Sequence, residues 1–358
     1  MAFSPRLAKG QKPGGSLGPA QVLIVDDSLV ARSVLGRMVA GTGRFEVAAA
    51  LSNVPAALDF LKANRVDVIL LDIEMPGIDG LTALPDMLQA GGSAKVLIVS
   101  SSADEGAAAS VQALALGAAD TLVKPGIGAF GGRFAEVLSE RLTRLLGGQA
   151  DLAPHGGRSF GPLPTPAGFD IVAIGASTGG IHALGQLLRG IPQDFRVPIL
   201  VTQHLPISFM SYFAAQLAVL GGRPCDVATD RMRVRPGRIV IAPGDAHMRV
   251  TRVGDGVAIR LTNERAPSGC MPSVDPMFET VAEVFGARAL GVVLSGMGRD
   301  GSEGAKLLSQ SGSRIFVQDR ETSVVWGMPG AVAKAGLATA VLPPEEIGRL
   351  IARGEHCA

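Results

Sequence analysis

The stretch Gly175-Ala176-Ser177-Thr178-Gly179-Gly180 decides how the second half of this chain is interpreted. It follows the apolar run Ile171–Ile174 and precedes a helical pattern over Ile181–Leu188. A buried strand that turns through glycines into a helix places Ser177 at the carboxyl end of the strand, beside the free N–H groups of the helix N-terminus. Taken alone, the stretch fits a nucleophilic serine, a phosphate-binding loop or a structural turn.

The composition of the 358-residue chain is that of a globular protein long enough for two domains. Apolar residues make up 47%, charged residues 18%, and the net charge is +1, so we expect no nucleic-acid partner. No apolar run approaches the roughly 18 residues that span a bilayer, and the N-terminus lacks the apolar core of a signal peptide. The three cysteines are far apart, and Cys270 is interpreted as a free thiol in a loop. We predict a cytoplasmic protein without membrane insertion.

The first part of the chain alternates short apolar runs with helical stretches, which predicts a doubly wound parallel sheet. Ligands gather at the carboxyl ends of such strands. The runs end at Asp26-Asp27, Asp72, Ser100 and Lys124. Carboxylates that meet at one edge repel each other unless a hard cation such as Mg²⁺ lies among them. A metal-held aspartate accepts a phosphoryl group well, and a hydroxyl and an ammonium group can hold its oxygens.

These residues closely resemble the response-regulator receiver family, whose pattern matches Asp26-Asp27, the segment Asp72–Gly80, Ser100 and Lys124-Pro125. The resemblance implies that a histidine kinase phosphorylates Asp72 and that Ser100 and Lys124 support the phosphoryl group. It also implies Mg²⁺ held by Asp27, Asp72 and the backbone carbonyl of Glu74, with Asp26 acting mainly through water. One position departs from the family, because Thr121 stands where an aromatic residue is usual.

In the second half, strands and helices again alternate, and the segment from Arg238 to Thr262 predicts an antiparallel excursion. A serine nucleophile needs a base, and the base needs a residue that orients it. His204 ends the strand after the one that carries Ser177, and neighbouring strands lie about 4.8 Å apart. His204 is therefore the candidate base, with a histidine satisfied by loop backbone as the alternative.

Asp300 is the candidate acid, because it follows the strand Ala289–Ser295 in the glycine loop Gly296–Gly301. A helix N-cap is the alternative role for this aspartate. We expect His182 to be a surface residue and His247 to be structural. A dinucleotide site fits less well, since it requires an acidic residue where the second strand ends in histidine.

The second half of the chain resembles the chemotaxis protein-glutamate methylesterase (CheB) family. The matching motifs are Gly175–Gly180, Thr202-Gln203-His204, Ile241–Asp245, Pro272–Asp275, Gly296–Gly301 and Trp326–Pro329. The resemblance implies Ser177 as nucleophile, His204 as base and Asp300 as the orienting acid. It places Thr178 and Met297 at the active site, with the Met297 N–H as an oxyanion donor, and implies no cofactor in this domain. Met271 stands where the family often has Arg.

The combined pattern predicts an α/β protein in two parts. The first is a doubly wound (βα)5 receiver domain, and the second is a three-layer α/β catalytic domain with a mostly parallel sheet. The boundaries that we predict are a disordered extension over 1–20, the receiver over 21–146, a glycine- and proline-rich linker over 147–168, and the methylesterase domain over 169–354.

The function that the resemblance implies is a phosphorylation-activated esterase. It would hydrolyse glutamyl methyl esters on the cytoplasmic domains of methyl-accepting chemoreceptors and receive its phosphoryl group from a chemotaxis histidine kinase. Some members of the family also deamidate receptor glutamines. The alternatives are a phospho-regulated serine hydrolase that acts on a different signalling array or a non-receptor protein, and a non-catalytic output domain.

Overall fold

The structure is a computed structural model that describes residues 18–100, 104–124, 132–147 and 168–354. The predicted extension and linker lie almost wholly outside these ranges. The first strand begins at Ala20.

A five-stranded parallel sheet with the order β2-β1-β3-β4-β5 forms the first domain. Its strands are β1 (Ala20–Val25), β2 (Phe45–Leu51), β3 (Val68–Leu71), β4 (Lys95–Ser100) and β5 (Asp120–Val123). Its helices are α1 (Leu29–Gly41), α2 (Val54–Ala63), α3 (Gly80–Gly91), α4 (Asp104–Leu116) and α5 (Gly132–Gly147). Strand β1 lies inside the sheet with Val22 to Val25 fully buried, because helices cover both faces.

A seven-stranded parallel sheet with the order β14-β13-β12-β6-β7-β9-β8 forms the second domain. Its strands are β6 (Ile171–Ala176), β7 (Ile199–Gln203), β8 (Cys225–Val227), β9 (Ile239–Ile241), β12 (Ala289–Val293), β13 (Arg314–Gln318) and β14 (Ala340–Leu342). Its helices are α6 (Gly180–Arg189), α7 (Met210–Gly221), α8 (Asp275–Phe285), α9 (Ser302–Gln310), α10 (Met328–Lys334) and α11 (Pro344–Arg353). Strand β6 lies between β7 and β12 at the centre of the sheet.

The antiparallel excursion is smaller than the sequence predicted. Strand β9 belongs to the parallel sheet, where it pairs with β7 and β8. Only β10 (His247–Val253) and β11 (Gly256–Thr262) run antiparallel, as a separate hairpin. The short connection Gly254-Asp255 joins the hairpin, and Gly254 has a φ of 59°, which favours glycine at this turn.

The two domains contact each other at the carboxyl edge of the second sheet. Helix α4 of the first domain packs against α6 and α7 of the second. Val324, which precedes α10, packs against the apolar core of the first domain. Among the residues that the structure describes, no helix has the length and apolar character to cross a membrane.

Candidate active site

Ser177 follows the central strand of the second sheet, in a turn that requires glycine at positions 179 and 180. Gly179, with a φ of 77°, is the residue before α6, and a Cβ on it would lie 2.5 Å from Val324. A Cβ on Gly180 would lie 2.5 Å from Oε1 of Gln203. The turn therefore brings the start of α6 close to its neighbours, with Ser177 in front of the helix N-terminus.

Two polar side chains hold the Ser177 turn from either side. The Gln203 amide donates a hydrogen bond to the Ser177 carbonyl at 2.8 Å, and the Ser295 hydroxyl donates to the Thr178 carbonyl at 2.7 Å. The Ser177 N–H donates to the Ser295 carbonyl at 3.0 Å. Sequence reasoning missed both positioning roles, although Gln203 precedes the candidate base and Ser295 ends the predicted strand before the Asp300 loop.

His204 lies beside Ser177 because β6 and β7 pair in parallel with Ala176 opposite Gln203. The His204 N–H donates to the Ala176 carbonyl at 3.1 Å, which fixes the first residue after the strand. Ser177 and His204 line one cavity of about 270 Å³. In the described part of the chain they make no hydrogen bond with each other, which is common when a nucleophile–base pair lacks substrate.

The His204 ring is bound to Asp300, with 2.8 Å between Nε2 and Oδ2. Burial disfavours the charged imidazolium, but the hydrogen bonds with Asp300 and Cys270 outweigh it and raise the pKa of His204 to about 9. The alternative role predicted for His204, a ring hydrogen-bonded to loop backbone, does not account for this contact with Asp300.

Asp300 is almost fully buried, with 2% of its surface exposed. Its carboxylate accepts hydrogen bonds from Ser273 Oγ at 2.6 Å and from the Val274 N–H at 2.8 Å, in addition to His204. Burial alone would raise its pKa, but these donors, His204 first, hold it well below its usual range. Gly301, not Asp300, is the N-cap of α9, so the N-cap alternative is wrong.

His247 is fully buried and supports the acid from behind, in agreement with its predicted structural role. Its Nδ1 accepts from the Ser273 N–H at 2.9 Å, and its Nε2 donates to the Glu264 carbonyl at 2.8 Å. Both contacts fit one neutral tautomer, with the proton on Nε2. His247 thereby positions Ser273, whose hydroxyl binds Asp300.

The cavity that Ser177 and His204 line receives residues from both domains. Thr178, Cys270 and Met271 contribute from the second domain. Arg141 and Arg144 contribute from α5 of the first domain. Met297, which the resemblance places at the active site, is 41% exposed on the loop before Asp300 and is not among the described residues that line this cavity. Met271, the position where the related family often has Arg, therefore faces the same cavity as Ser177.

The acidic residues predicted at the edge of the first sheet lie together. Single ligand oxygens of Asp26, Asp27 and Asp72 are within 4.8 Å of one another. Lys124 Nζ lies 2.8 Å from Asp26 and 2.7 Å from Asp72. Burial raises the pKa of Asp72 despite the lysine, and burial would lower the pKa of Lys124, but its hydrogen bonds to both aspartates raise it.

The donor set of this cluster fits a hard cation. Oδ1 of Asp72 is buried and accepts no hydrogen bond from any described residue. Carboxylate oxygens that lack a donor are the ligands that Mg²⁺ prefers. Glu74, whose carbonyl was the third predicted ligand, is exposed, and its backbone N–H lowers the pKa of Asp72.

The other two residues predicted around the phosphorylation site differ in their surroundings. Ser100 is buried, and its hydroxyl lies 3.2 Å from that of Ser110 on α4. Ser110 was not identified from the sequence. Thr121, at the position where receivers usually have an aromatic residue, lines a second cavity of about 440 Å³ that also contains His204 and Phe209.

Hydrogen bonds join the first domain to α6 and to Gly179, the residue before it. The Gly179 N–H donates to the Ala119 carbonyl at 3.2 Å. His182 Nδ1 donates to the Ala115 carbonyl at 3.0 Å, while its Nε2 faces the Gln186 amide at 3.1 Å. The prediction that His182 is a surface residue is therefore wrong, because it is half-buried at the interface between the domains.

Known proteins share both the sequence pattern and this arrangement of domains. A family model for CheB methylesterase matches residues 172–351, and one for the response regulator receiver domain matches residues 22–128. A protein-glutamate methylesterase/protein-glutamine glutaminase from Caulobacter vibrioides is 42% identical, covering 93% of this chain and 98% of its own length. One from Rhodospirillum rubrum is 39% identical, with 95% and 96% covered.

A solved structure gives the same result for the second domain. The crystal structure of the Thermotoga maritima CheB methylesterase catalytic domain is 35% identical, with a TM-score of 0.50, and the match covers 52% of this chain and 98% of that one. The resemblance seen in the sequence motifs is thus confirmed over nearly the whole chain. This chain belongs to the CheB methylesterase family and carries a response-regulator receiver domain at its N-terminal end.

Proposed function

We propose that this chain is a protein-glutamate methylesterase whose activity is controlled by phosphorylation of its receiver domain. Its substrates are glutamyl methyl esters on the cytoplasmic domains of chemoreceptors, and its phosphoryl donor is a chemotaxis histidine kinase. One observation carries the proposal: a histidine that is hydrogen-bonded to a buried aspartate shares a cavity with a serine at a helix N-terminus. This is the arrangement that nucleophilic ester hydrolysis requires.

In the proposed reaction, Ser177 Oγ attacks the γ-carbonyl carbon of the glutamyl ester while His204 removes the serine proton. The Met297 N–H and the N–H groups at the start of α6 stabilise the oxyanion. His204 then gives the proton to the departing methanol, and water hydrolyses the acyl-enzyme with His204 again as base. Asp300 holds the ring through Nε2 and stabilises the imidazolium.

The same steps also apply to a glutamine side chain, with ammonia as the leaving group. The relatives from Caulobacter vibrioides and Rhodospirillum rubrum carry both activities in their names. Protein-glutamine deamidation is therefore the second activity that we propose for Ser177, because both reactions pass through the same glutamyl-enzyme intermediate.

The receiver controls this site through the contacts at the start of α6. The Ala119 carbonyl accepts a hydrogen bond from the Gly179 N–H, two residues after Ser177, and α4 packs against α6 and α7. In this closed arrangement the receiver competes with substrate. Phosphorylation of Asp72 would add charge beside Lys124 and draw the Ser100 hydroxyl away from Ser110 on α4, which opens the interface.

Mg²⁺ in the receiver would be held by Asp27, Asp72 and the Glu74 carbonyl, with Asp26 acting through water. Its charge would neutralise the incoming phosphoryl oxygens. Lys124, which binds Asp26 and Asp72, would hold one of those oxygens. Ser100 would support another after its hydroxyl leaves Ser110.

Replacement of the nucleophile is the first test. We expect Ser177→Ala to reduce methanol release from methylated receptor membranes by about 10⁴-fold or more, because no other hydroxyl takes the place of the attacking one. A fluorophosphonate probe should label the unmodified chain and not the variant. Ser309→Ala, an exposed serine on α9, should retain both signals. Full esterase activity in Ser177→Ala would refute the assignment.

The pH dependence of kcat/KM tests the pairing of His204 with Asp300. The reaction needs the neutral imidazole, and the pKa of His204 is raised to about 9, so kcat/KM should increase with pH up to this region. Asp300→Asn removes the charge that stabilises the imidazolium. We expect the midpoint to move about one unit or more toward acid and kcat to fall by about 10³-fold or more. Asp245→Asn, in an exposed turn, should leave the profile in place; an unmoved midpoint in Asp300→Asn would exclude this pairing.

Control by the receiver is tested with a small acyl phosphate as phosphodonor. We expect Asp72→Asn to retain the basal rate and to lose stimulation, because no carboxylate remains to accept the phosphoryl group. Removal of Mg²⁺ by a chelator should abolish stimulation of the unmodified chain. Asp59→Asn, whose side chain is exposed on α2, should respond normally. A normal response in Asp72→Asn would show that the receiver is controlled in another way.

The contact between the domains is tested by His182→Ala. The substitution removes the hydrogen bond to the Ala115 carbonyl, worth about 1 kcal/mol, so the basal rate without phosphodonor should rise about fivefold. Arg189→Ala, at the exposed end of the same helix, serves as the control. If the basal rate of His182→Ala stays that of the unmodified chain, the contact does not restrain the enzyme.

A further inference from the structure

Cys270 lies beside the proposed catalytic base. Ligand atoms of His204, Cys270 and Asp300 are within 4.8 Å of one another. Cys270 forms no disulfide, is half-buried, and lines the same cavity as Ser177 and His204. The sequence interpretation of this residue as a free thiol in a loop thus omitted its position, which is at the proposed active site.

The loop that carries Cys270 is held by the same hydrogen bonds as the acid. The Cys270 N–H donates to Ser268 Oγ at 3.3 Å, and Ser268 Oγ donates to Ser273 Oγ at 3.2 Å. Ser273 in turn donates to Asp300. The backbone of Cys270 is therefore held by the same hydrogen-bond network as the His204–Asp300 pair.

The donor types at this position differ from those in the receiver. A thiolate sulfur with an imidazole nitrogen is the donor combination that Zn²⁺ and similar thiophilic cations prefer. The receiver cluster offers only carboxylate oxygens, which suit Mg²⁺. The described residues thus include two sets of potential metal ligands with opposite preferences.

Asp300 is not available as a direct ligand. Its Oδ1 accepts from Ser273, and its Oδ2 accepts from both His204 and Val274. A carboxylate that holds one ring nitrogen of a histidine orients the other nitrogen toward a metal and makes it a better ligand. His204 Nδ1 and Cys270 Sγ are consequently the metal ligands that this geometry offers, and Asp300 is their support.

We propose that Cys270 and His204 bind a thiophilic divalent cation, Zn²⁺, and that this binding inhibits the esterase. The inhibition rests on the proposed function. Binding releases the thiol proton to solvent and uses the lone pair of His204 that would take the Ser177 proton. Water in the cavity of about 270 Å³ would complete the coordination of the cation. The bound cation would then block the approach of substrate to His204.

Metal binding is tested with Co²⁺ as the probe, added to the full chain in the presence of excess Mg²⁺ to occupy the receiver. A thiolate-to-cobalt charge-transfer absorption should appear, and Cys270→Ala should abolish it. His204→Ala should weaken Co²⁺ binding about tenfold or more. Cys225→Ala and Cys357→Ala, which remove the other thiols, should retain the absorption. Its absence from the unmodified chain, or its persistence in Cys270→Ala, would overturn the proposal.

Inhibition is tested by titrating Zn²⁺ into the esterase assay, with each variant normalised to its own metal-free rate. The Zn²⁺ concentration for half-inhibition should be about tenfold or more higher in Cys270→Ala than in the unmodified chain or Cys225→Ala. Equal sensitivity of Cys270→Ala would refute inhibition through this site.

The two proposals can fail separately. Ser177→Ala, which we expect to have no turnover, keeps both metal ligands and should show the cobalt absorption. That absorption without any methanol release from the unmodified chain would retain the metal site and remove the proposed esterase.

Discussion

The register between β6 and its two neighbours is the constraint on which the proposed active site depends. Parallel strands end at the same edge of a sheet, and the pairing of Ala176 with Gln203 brings out Ser177 and His204 side by side. On the other side, Val293 pairs with Gly175, so the loop after β12 begins at the same level and returns Asp300 toward His204. A shift of one residue in either pairing would move one of the three groups along the edge of the sheet. It would also point the side chain of that group to the opposite face of the sheet.

The acid is positioned by a chain of buried polar groups. An isolated buried carboxylate is costly, but Asp300 has a donor for each oxygen, and its neighbour Ser273 is fixed in turn by His247. Catalysis of the proposed kind needs this rigidity, because the histidine ring must keep one nitrogen toward the acid throughout the reaction. The hairpin of β10 and β11 is part of the same support, since His247 begins β10.

Much of the fold and of the two sites was predictable from the sequence, because the ends of the strands carry distinctive residues. Asp72, Lys124, Ser177 and His204 were located from apolar runs followed by polar or glycine residues, which is how parallel α/β sheets present their sites. Positions set by tertiary contacts were not predictable. Strand β2 is alanine-rich at an edge, so it lacks a strong β signal, and the roles of Ser110, His182 and Cys270 depend on which loops meet across the fold.

The backbone contact between the Ala119 carbonyl and the Gly179 N–H has a consequence for the range of the proposed switch. The free energy that holds the receiver closed sets the largest stimulation of activity that opening can give. Every 1.4 kcal/mol of that free energy permits about a tenfold increase in rate. A tighter interface would lower the basal activity further, but phosphorylation would then have to supply more free energy to open it. This contact joins main-chain atoms, so it does not depend on the side chain at position 119, and position 179 must stay glycine because a Cβ there would meet Val324. Evolution can then adjust the range through the surrounding side chains, such as His182, without altering the turn that carries the nucleophile.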